Sequence, residues 1–126
     1  MELVWRGSRN YGKLSQIFTG ILYNGYNPPP GFCYDEFCED PPIQDNPNLY
    51  DMNVKERVNE FVEVTCEQAE HYKTNHIILT MGSDFQYENA ERWFLNLDKL
   101  IQYVNEVSQL FQKITTEELD FVRINF

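Results

Sequence analysis

The sequence predicts an α/β fold, on three observations. His76–Met81 is a short apolar run rich in β-branched residues (Ile77, Ile78 and Thr80), which suits a strand buried on both faces. A helical pattern precedes it over Asn53–Tyr72, and a second follows from about Asn89. The resulting order of strand, loop, helix, strand and helix is that of α/β domains. Two or three strands are too few for a closed barrel, which takes about 250 residues.

Taken in order, Met1–Ser8 carries Leu3, Val4 and Trp5 and reads as the end of a strand or an edge segment. Arg9–Gln16 is polar and loop-like, and Ile17–Tyr23 is another short apolar run with Gly20 inside it. Asn24 to about Leu49 holds all six prolines, Pro28, Pro29, Pro30, Pro41, Pro42 and Pro47. Proline is excluded from central ladders and helix interiors, so this is a long irregular loop. Its aromatics, Tyr26, Phe32, Tyr34 and Phe37, with Tyr23 at its entry, favour an ordered, packed loop over a disordered one. Asn53 and Glu56 form a capping-box-like start for the first helix. Val54, Val58, Phe61, Val62, Thr65, Ala69 and Tyr72 then recur at helical spacing, with Glu and Lys on the other face. The second helix offers Trp93, Phe94, Leu97, Leu100, Ile101 and Val104 as its buried stripe and fades near Leu110. Thr115 and Glu118 resemble another capping box, and Asp120–Phe126 reads as a terminal strand or a frayed tail.

The totals narrow the possible partners. At 126 residues the chain is one domain at most, and 42% hydrophobic with 15% aromatic residues is ample for a core. Twenty acidic against 10 basic residues give a net charge of -10, a surface that repels nucleic acid and anionic membranes. No apolar run approaches the roughly 18–20 residues of a membrane span. Met1 is followed by an acid and no apolar h-region appears, so the expectation is that this chain carries no signal peptide. Cys33 and Cys38, in the acid-rich stretch GFCYDEFCED, favour a small disulfide ring and an oxidising compartment over free thiols. Half a metal site is the other reading, but no second Cys or His pair has suitable spacing. Cys66, inside the helical pattern, is expected to pack as a small buried hydrophobe.

Chemistry concentrates just past the second strand. The run ends at Gly82, where the backbone bends without a Cβ penalty, and Ser83 and Asp84 follow before the next helix. In parallel α/β architectures that edge binds ligands, which makes Asp84 the first candidate. The competing reading is that Asp84 caps a turn. His71 on the helix and His76 at the strand entry read as structural or solvated residues rather than ligands. Asp35, Glu36, Glu39 and Asp40 read as a solvated loop surface, and oxygen donors at such spacing suit calcium better than zinc.

Three strings carry a family resemblance: YNGYNPPPGFC (Tyr23–Cys33), TNHIILTMGSDFQYENA (Thr74–Ala90) and WFLNLDKLIQYVN (Trp93–Asn105), with MELVWRGS ahead of them. They resemble the catalytic domain of the lysosomal-type α-mannosidases, family 38 of the glycoside hydrolases. The resemblance covers roughly residues 1–107 as a central part of that domain, and residues 108–126 form a divergent tail. It implies a seven-stranded β/α barrel of the glycoside hydrolase/deacetylase kind, of which this chain is a fragment and not a closed barrel on its own. The implied activity is zinc-dependent, retaining hydrolysis of terminal α-linked mannose in glycoprotein catabolism, in the lysosome or secretory pathway.

Residue by residue, the family's general acid/base falls on Asp84. Its sugar-contacting tyrosine falls on Tyr26, with Asn27 beside it, and its short loop disulfide on Cys33 and Cys38. The family's His-x-Asp pair, nucleophilic Asp and later His have no counterpart here, so no metal ligand is assigned and zinc is expected only in the complete enzyme. The implied partners are a mannose-containing oligosaccharide and the rest of the mannosidase chain. The chain alone is expected to be inactive. The alternative is a non-catalytic truncated product, or a small disulfide-stapled sugar-binding or interaction protein.

Overall fold

The structure is a computed structural model that describes residues 1–74 and 76–114. The Thr115/Glu118 capping box and the Asp120–Phe126 segment lie outside those residues. Four main elements follow in chain order. They are β1 (Glu2–Arg6), β2 (Gln16–Gly20), α1 (Val54–Ala69) and α2 (Ala90–Ile114), with a short 3-10 turn at Gly12–Ser15 between the strands.

β1 and β2 pair antiparallel, with Val4 opposite Phe18 and Trp5 opposite Ile17. Hydrogen bonds from Gly7 N–H to Ser15 O (3.0 Å) and from Ile21 N–H to Met1 O (2.9 Å) extend the ladder at both ends. The two N-terminal apolar runs thus find each other rather than a parallel neighbour. Both faces stay open, since Leu3, Val4, Trp5, Ile17 and Phe18 are all exposed. Polar ties hold the hairpin to the chain after α1. The Glu2 carboxylate accepts from Lys73 N–H and Thr74 Oγ1, each at 2.7 Å. The Tyr72 hydroxyl donates to Ile21 O and accepts from Tyr23 N–H, each at 2.9 Å.

The core lies elsewhere, between the two helices and under the proline-rich loop. α1 contributes Val58 and Phe61, α2 contributes Trp93, Leu97, Leu100 and Val104, and the loop contributes Phe32, Tyr34 and Ile43. Phe32 meets Phe61 edge-on at 5.1 Å between ring centroids, and Tyr34 meets Trp93 edge-on at 5.8 Å. Such aromatic pairs add about 0.5–1.5 kcal/mol each beyond their buried area. The Arg57 guanidinium lies over the Phe32 ring at 4.3 Å and also bonds to Gly31 O and Glu60. A loop holding a third of the core cluster is structural, as its aromatic content predicted.

Several expectations are corrected. His76–Met81 forms no ladder, and β1–β2 is the only sheet among the described residues. β-propensity proposes a strand, but only a neighbouring strand makes one. This segment is held by side chains instead: Gln68 Nε2 donates to Ile78 O at 3.1 Å, and Thr80 Oγ1 donates to Asn27 O at 2.7 Å. Asn53 precedes α1 but makes no side-chain cap. Its amide is taken by the loop, accepting from Gln44 N–H (2.8 Å) and donating to Pro42 O (2.9 Å). Cys66 is a free, exposed thiol rather than a buried one, because it points away from the Phe61–Thr65 face. Phe94 is exposed too, since its neighbour Trp93 takes the core-facing direction.

Candidate active site

The site is built where two distant segments meet, the turn after Met81 and the tip of the proline-rich loop. Gly82 sits at φ 150°, a region open essentially to glycine alone. A Cβ there would come within 2.9 Å of the Tyr87 ring. Phe85 (φ 61°) and Tyr87 (φ 72°) are also left-handed, and these two are the only non-glycine residues so placed among the described residues. Gln86 N–H closes the turn on Ser83 O at 3.4 Å. Two strained positions, Phe85 and Tyr87, close after a glycine that alone fits its own φ, are the kind of backbone that functional sites retain.

Tyr87 closes this turn in three ways. Its hydroxyl donates to Met81 O at 2.5 Å, its ring stacks on Trp93 at 4.7 Å, and its N–H donates to Asp35 Oδ2 at 2.9 Å. The tip between these anchors presents Asp84 to solvent.

The loop tip reaches the same place. Asn24 Nδ2 donates to Pro28 O at 2.8 Å, and Asn27 N–H donates to Asn24 O at 3.2 Å. Asn27 is then tied to the turn, its Oδ1 accepting from Ser83 Oγ at 2.8 Å and its carbonyl from Thr80 Oγ1. Tyr26 consequently faces Asp84. The hydrogen bond to that carboxylate, and then its charge, hold the phenol above its ordinary pKa. Tyr26, Asn27 and Asp84, singled out by sequence, thus share one exposed corner, with Ser83 and Thr80 as partners that were not among the candidate site residues. The position of Ser83 beside the candidate acid was the one available signal for it. Nothing local signalled Thr80.

Cys33 and Cys38 form a disulfide, with Cα atoms 5.8 Å apart. Inside the ring, Asp35 is not solvated as a run of loop acids suggests. It is buried, and Trp93 Nε1–H (3.0 Å) joins Tyr87 N–H on its Oδ2. The indole donor first, and the Tyr87 amide next, hold its carboxyl below the usual range. Its neighbours are also engaged, Asp40 accepting from Cys33 N–H at 2.8 Å and Glu36 from Asn89 Nδ2 at 2.6 Å.

The implied zinc finds no donor set among the described residues. Among the described residues, no three His, Cys, Asp or Glu side chains converge on a point. His71 stacks on Tyr23 at 4.4 Å, and two of the three cysteines are consumed by the disulfide. No helix among the described residues is long and apolar enough to cross a membrane.

Comparison with known proteins gives a consistent set of relatives. The family model described as the glycosyl hydrolases family 38 N-terminal domain matches residues 1–122. Lysosomal alpha-mannosidase of Cavia porcellus is 52% identical over 106 residues, 83% of this chain and 10% of the relative. The Homo sapiens protein of the same name is 51% identical over the same shares. An alpha-mannosidase of Canavalia ensiformis is 42% identical over 119 residues, 94% of this chain and 12% of its own length. The chain therefore spans about a tenth of the length of the curated relatives it matches.

Proposed function

The chain belongs to the glycosyl hydrolase family 38 N-terminal domain family, and from that premise we propose that it forms part of an α-mannosidase catalytic domain, with Asp84 as the proton donor. The observation that carries this reading is the meeting of Tyr26 with Asp84 at an exposed corner, with Asn27 bonded to the adjacent Ser83. The relatives' names support mannose-containing glycans as substrate and the lysosome or secretory pathway as location. The disulfide accords with such an oxidising compartment.

In this reading, Asp84 protonates the glycosidic oxygen as the aglycone departs, then takes a proton from the water that enters. A retaining reaction requires a second carboxyl group about 5–5.5 Å away to attack the sugar. That group and the zinc ligands are assigned to residues other than those described here. Tyr26 faces Asp84 in the resting site, and the contact fixes the direction in which the Asp84 side chain points. Tyr26 and Asn27 would also contact the bound sugar, one through a ring and hydroxyl, the other through its amide. In the fold proposed, this corner lies on the rim of a β/α barrel completed by other parts of the polypeptide.

Asp84→Asn, made in a family 38 enzyme chain that contains this segment, tests the assignment. Turnover of an unactivated α-mannoside should fall by roughly 10²–10⁴-fold, the usual loss of a general acid. Near-normal turnover would mean that another group donates the proton. The 126 residues purified alone should not hydrolyse an aryl α-mannoside in the presence of zinc; measurable hydrolysis would refute the placement of nucleophile and metal ligands elsewhere.

A further inference from the structure

The short ring closed by Cys33 and Cys38 encloses Tyr34, Asp35, Glu36 and Phe37. Tyr34 is fully buried and Asp35 is 3% exposed, whereas Phe37 is open to solvent. A carboxylate in a surface loop ordinarily turns to water. This one is turned inward, with Oδ2 accepting two N–H donors and Oδ1 enclosed without a partner. Burying a carboxylate costs free energy, which the two bonds on Oδ2 offset.

What they hold is the frame of the Asp84 turn. Tyr87 is the left-handed residue at which the turn ends, and its amide is committed to Asp35. The ring of the same tyrosine fills the space left by Gly82 and lies flat on Trp93. Trp93 is completely buried, and its indole N–H bonds to the same carboxylate oxygen. One oxygen thus fixes both stacked partners that close the turn, and Asp84 stands between Gly82 and Tyr87 with Tyr26 against it.

We propose that Asp35 is a positioning residue for Asp84, holding the turn that presents it by accepting from the Tyr87 amide and the Trp93 indole. The disulfide ring keeps Asp35 in place to do so. The catalytic meaning of this rests on the reading of Asp84 given above, but the coupling itself needs no turnover to be measured.

The test follows Tyr26 as a reporter of Asp84, using the 126-residue chain with ring-labelled tyrosine and its NMR titration, assigned by Tyr26→Phe. In the unaltered chain Tyr26 should titrate above an ordinary phenol, and Asp84→Asn should lower it. Asp35→Ala should lower it to the same place, although Asp35 does not touch Tyr26. Asp35→Asn, which keeps one oxygen acceptor without the charge, should fall between. Val58→Ala, a core truncation on α1, should lower the melting temperature and leave the Tyr26 titration where it was. A folded Asp35→Ala variant with Tyr26 unmoved overturns the proposal, as does a Val58→Ala variant that moves Tyr26 equally. If Asp35→Ala does not fold, Asp35→Asn decides by the same criterion. A shifted Tyr26 together with normal turnover of an Asp84→Asn enzyme would sink the proton-donor assignment alone.

Discussion

Replacing Gly82 with alanine should break the Asp84 turn, and the cost can be worked from three contacts. Alanine at φ 150° adopts a backbone region that costs of order 1–3 kcal/mol for a residue with a Cβ. The new methyl would lie 2.9 Å from Cε2 of Tyr87, so the ring has to shift. That ring stacks flat on Trp93 and carries the hydroxyl bonded to Met81 O, so little movement is free. Losing that hydrogen bond costs about 0.5–1.5 kcal/mol, and overpacking in a tight site costs about 1–3 kcal/mol. Because the ring's displacement relieves the overlap at the expense of the bond, the contributions do not simply add. The net destabilisation should be about 2–4 kcal/mol. Urea unfolding at low protein concentration, followed by tryptophan fluorescence, measures it. With a slope of about 1–2 kcal/mol/M for a small chain, the midpoint should fall by about 1 M or more. An unchanged midpoint would show that Tyr87 is not packed against Gly82, and the account of how Asp84 is held would fail with it.

Three further outcomes are expected. Cys33→Ser combined with Cys38→Ser should destabilise the chain by about 2 kcal/mol, the chain-entropy value for so short a ring, read from the same urea curves; no loss would mean that the loop is fixed by Phe32 and Tyr34 alone. Asp35 is held below its ordinary pKa, so in acid the unfolded chain binds a proton that the folded chain does not. Its contribution to stability is complete above an ordinary Asp pKa of about 3.9 and is lost as pH falls through the folded value; Asp35→Asn should therefore lessen the loss of stability in acid, which melting scans across that range would detect. Finally, the open hairpin should drive self-association, and Val4→Lys with Phe18→Lys should raise the monomer fraction in sedimentation velocity; equal association of both proteins would place the sticky surface elsewhere.

The helices and most of their buried stripe were legible in the sequence because 3.6-residue periodicity is a local property. Val58, Phe61, Trp93, Leu97, Leu100 and Val104 all reach the core as the spacing indicates. Phe94 shows the limit, since adjacency to a stripe is not membership in it. Asn53 shows another: a capping residue next to a long loop has competing partners, and Gln44 and Pro42 took its amide. The run at His76–Met81 could announce a preference for extended chain but could not supply neighbours for it. At the site, Asp84 was singled out for its place after an expected strand, and Tyr26 and Asn27 by family resemblance; the structure brings the three to one corner without that strand. The contacts joining them, Thr80 to Asn27 and Ser83 to Asn27, link residues more than fifty positions apart and leave no periodic trace. Asp35 was misread because a cluster of acids usually is solvated; its two donors, the Tyr87 amide and the Trp93 indole, come from a segment far along the chain.

The loop's share in the core sets the timetable of synthesis. Phe32, Tyr34 and Ile43 emerge from the ribosome well before Trp93, Leu97, Leu100 and Val104, the side chains they are to cover. At roughly 5–20 residues per second the wait lasts about 3–12 seconds. During it Phe32 can already meet Phe61 and Arg57 of α1, but Tyr34 and Ile43 still lack the α2 side chains that are to cover them. Any chaperone acting on this polypeptide has that interval, and those two residues, as its natural target.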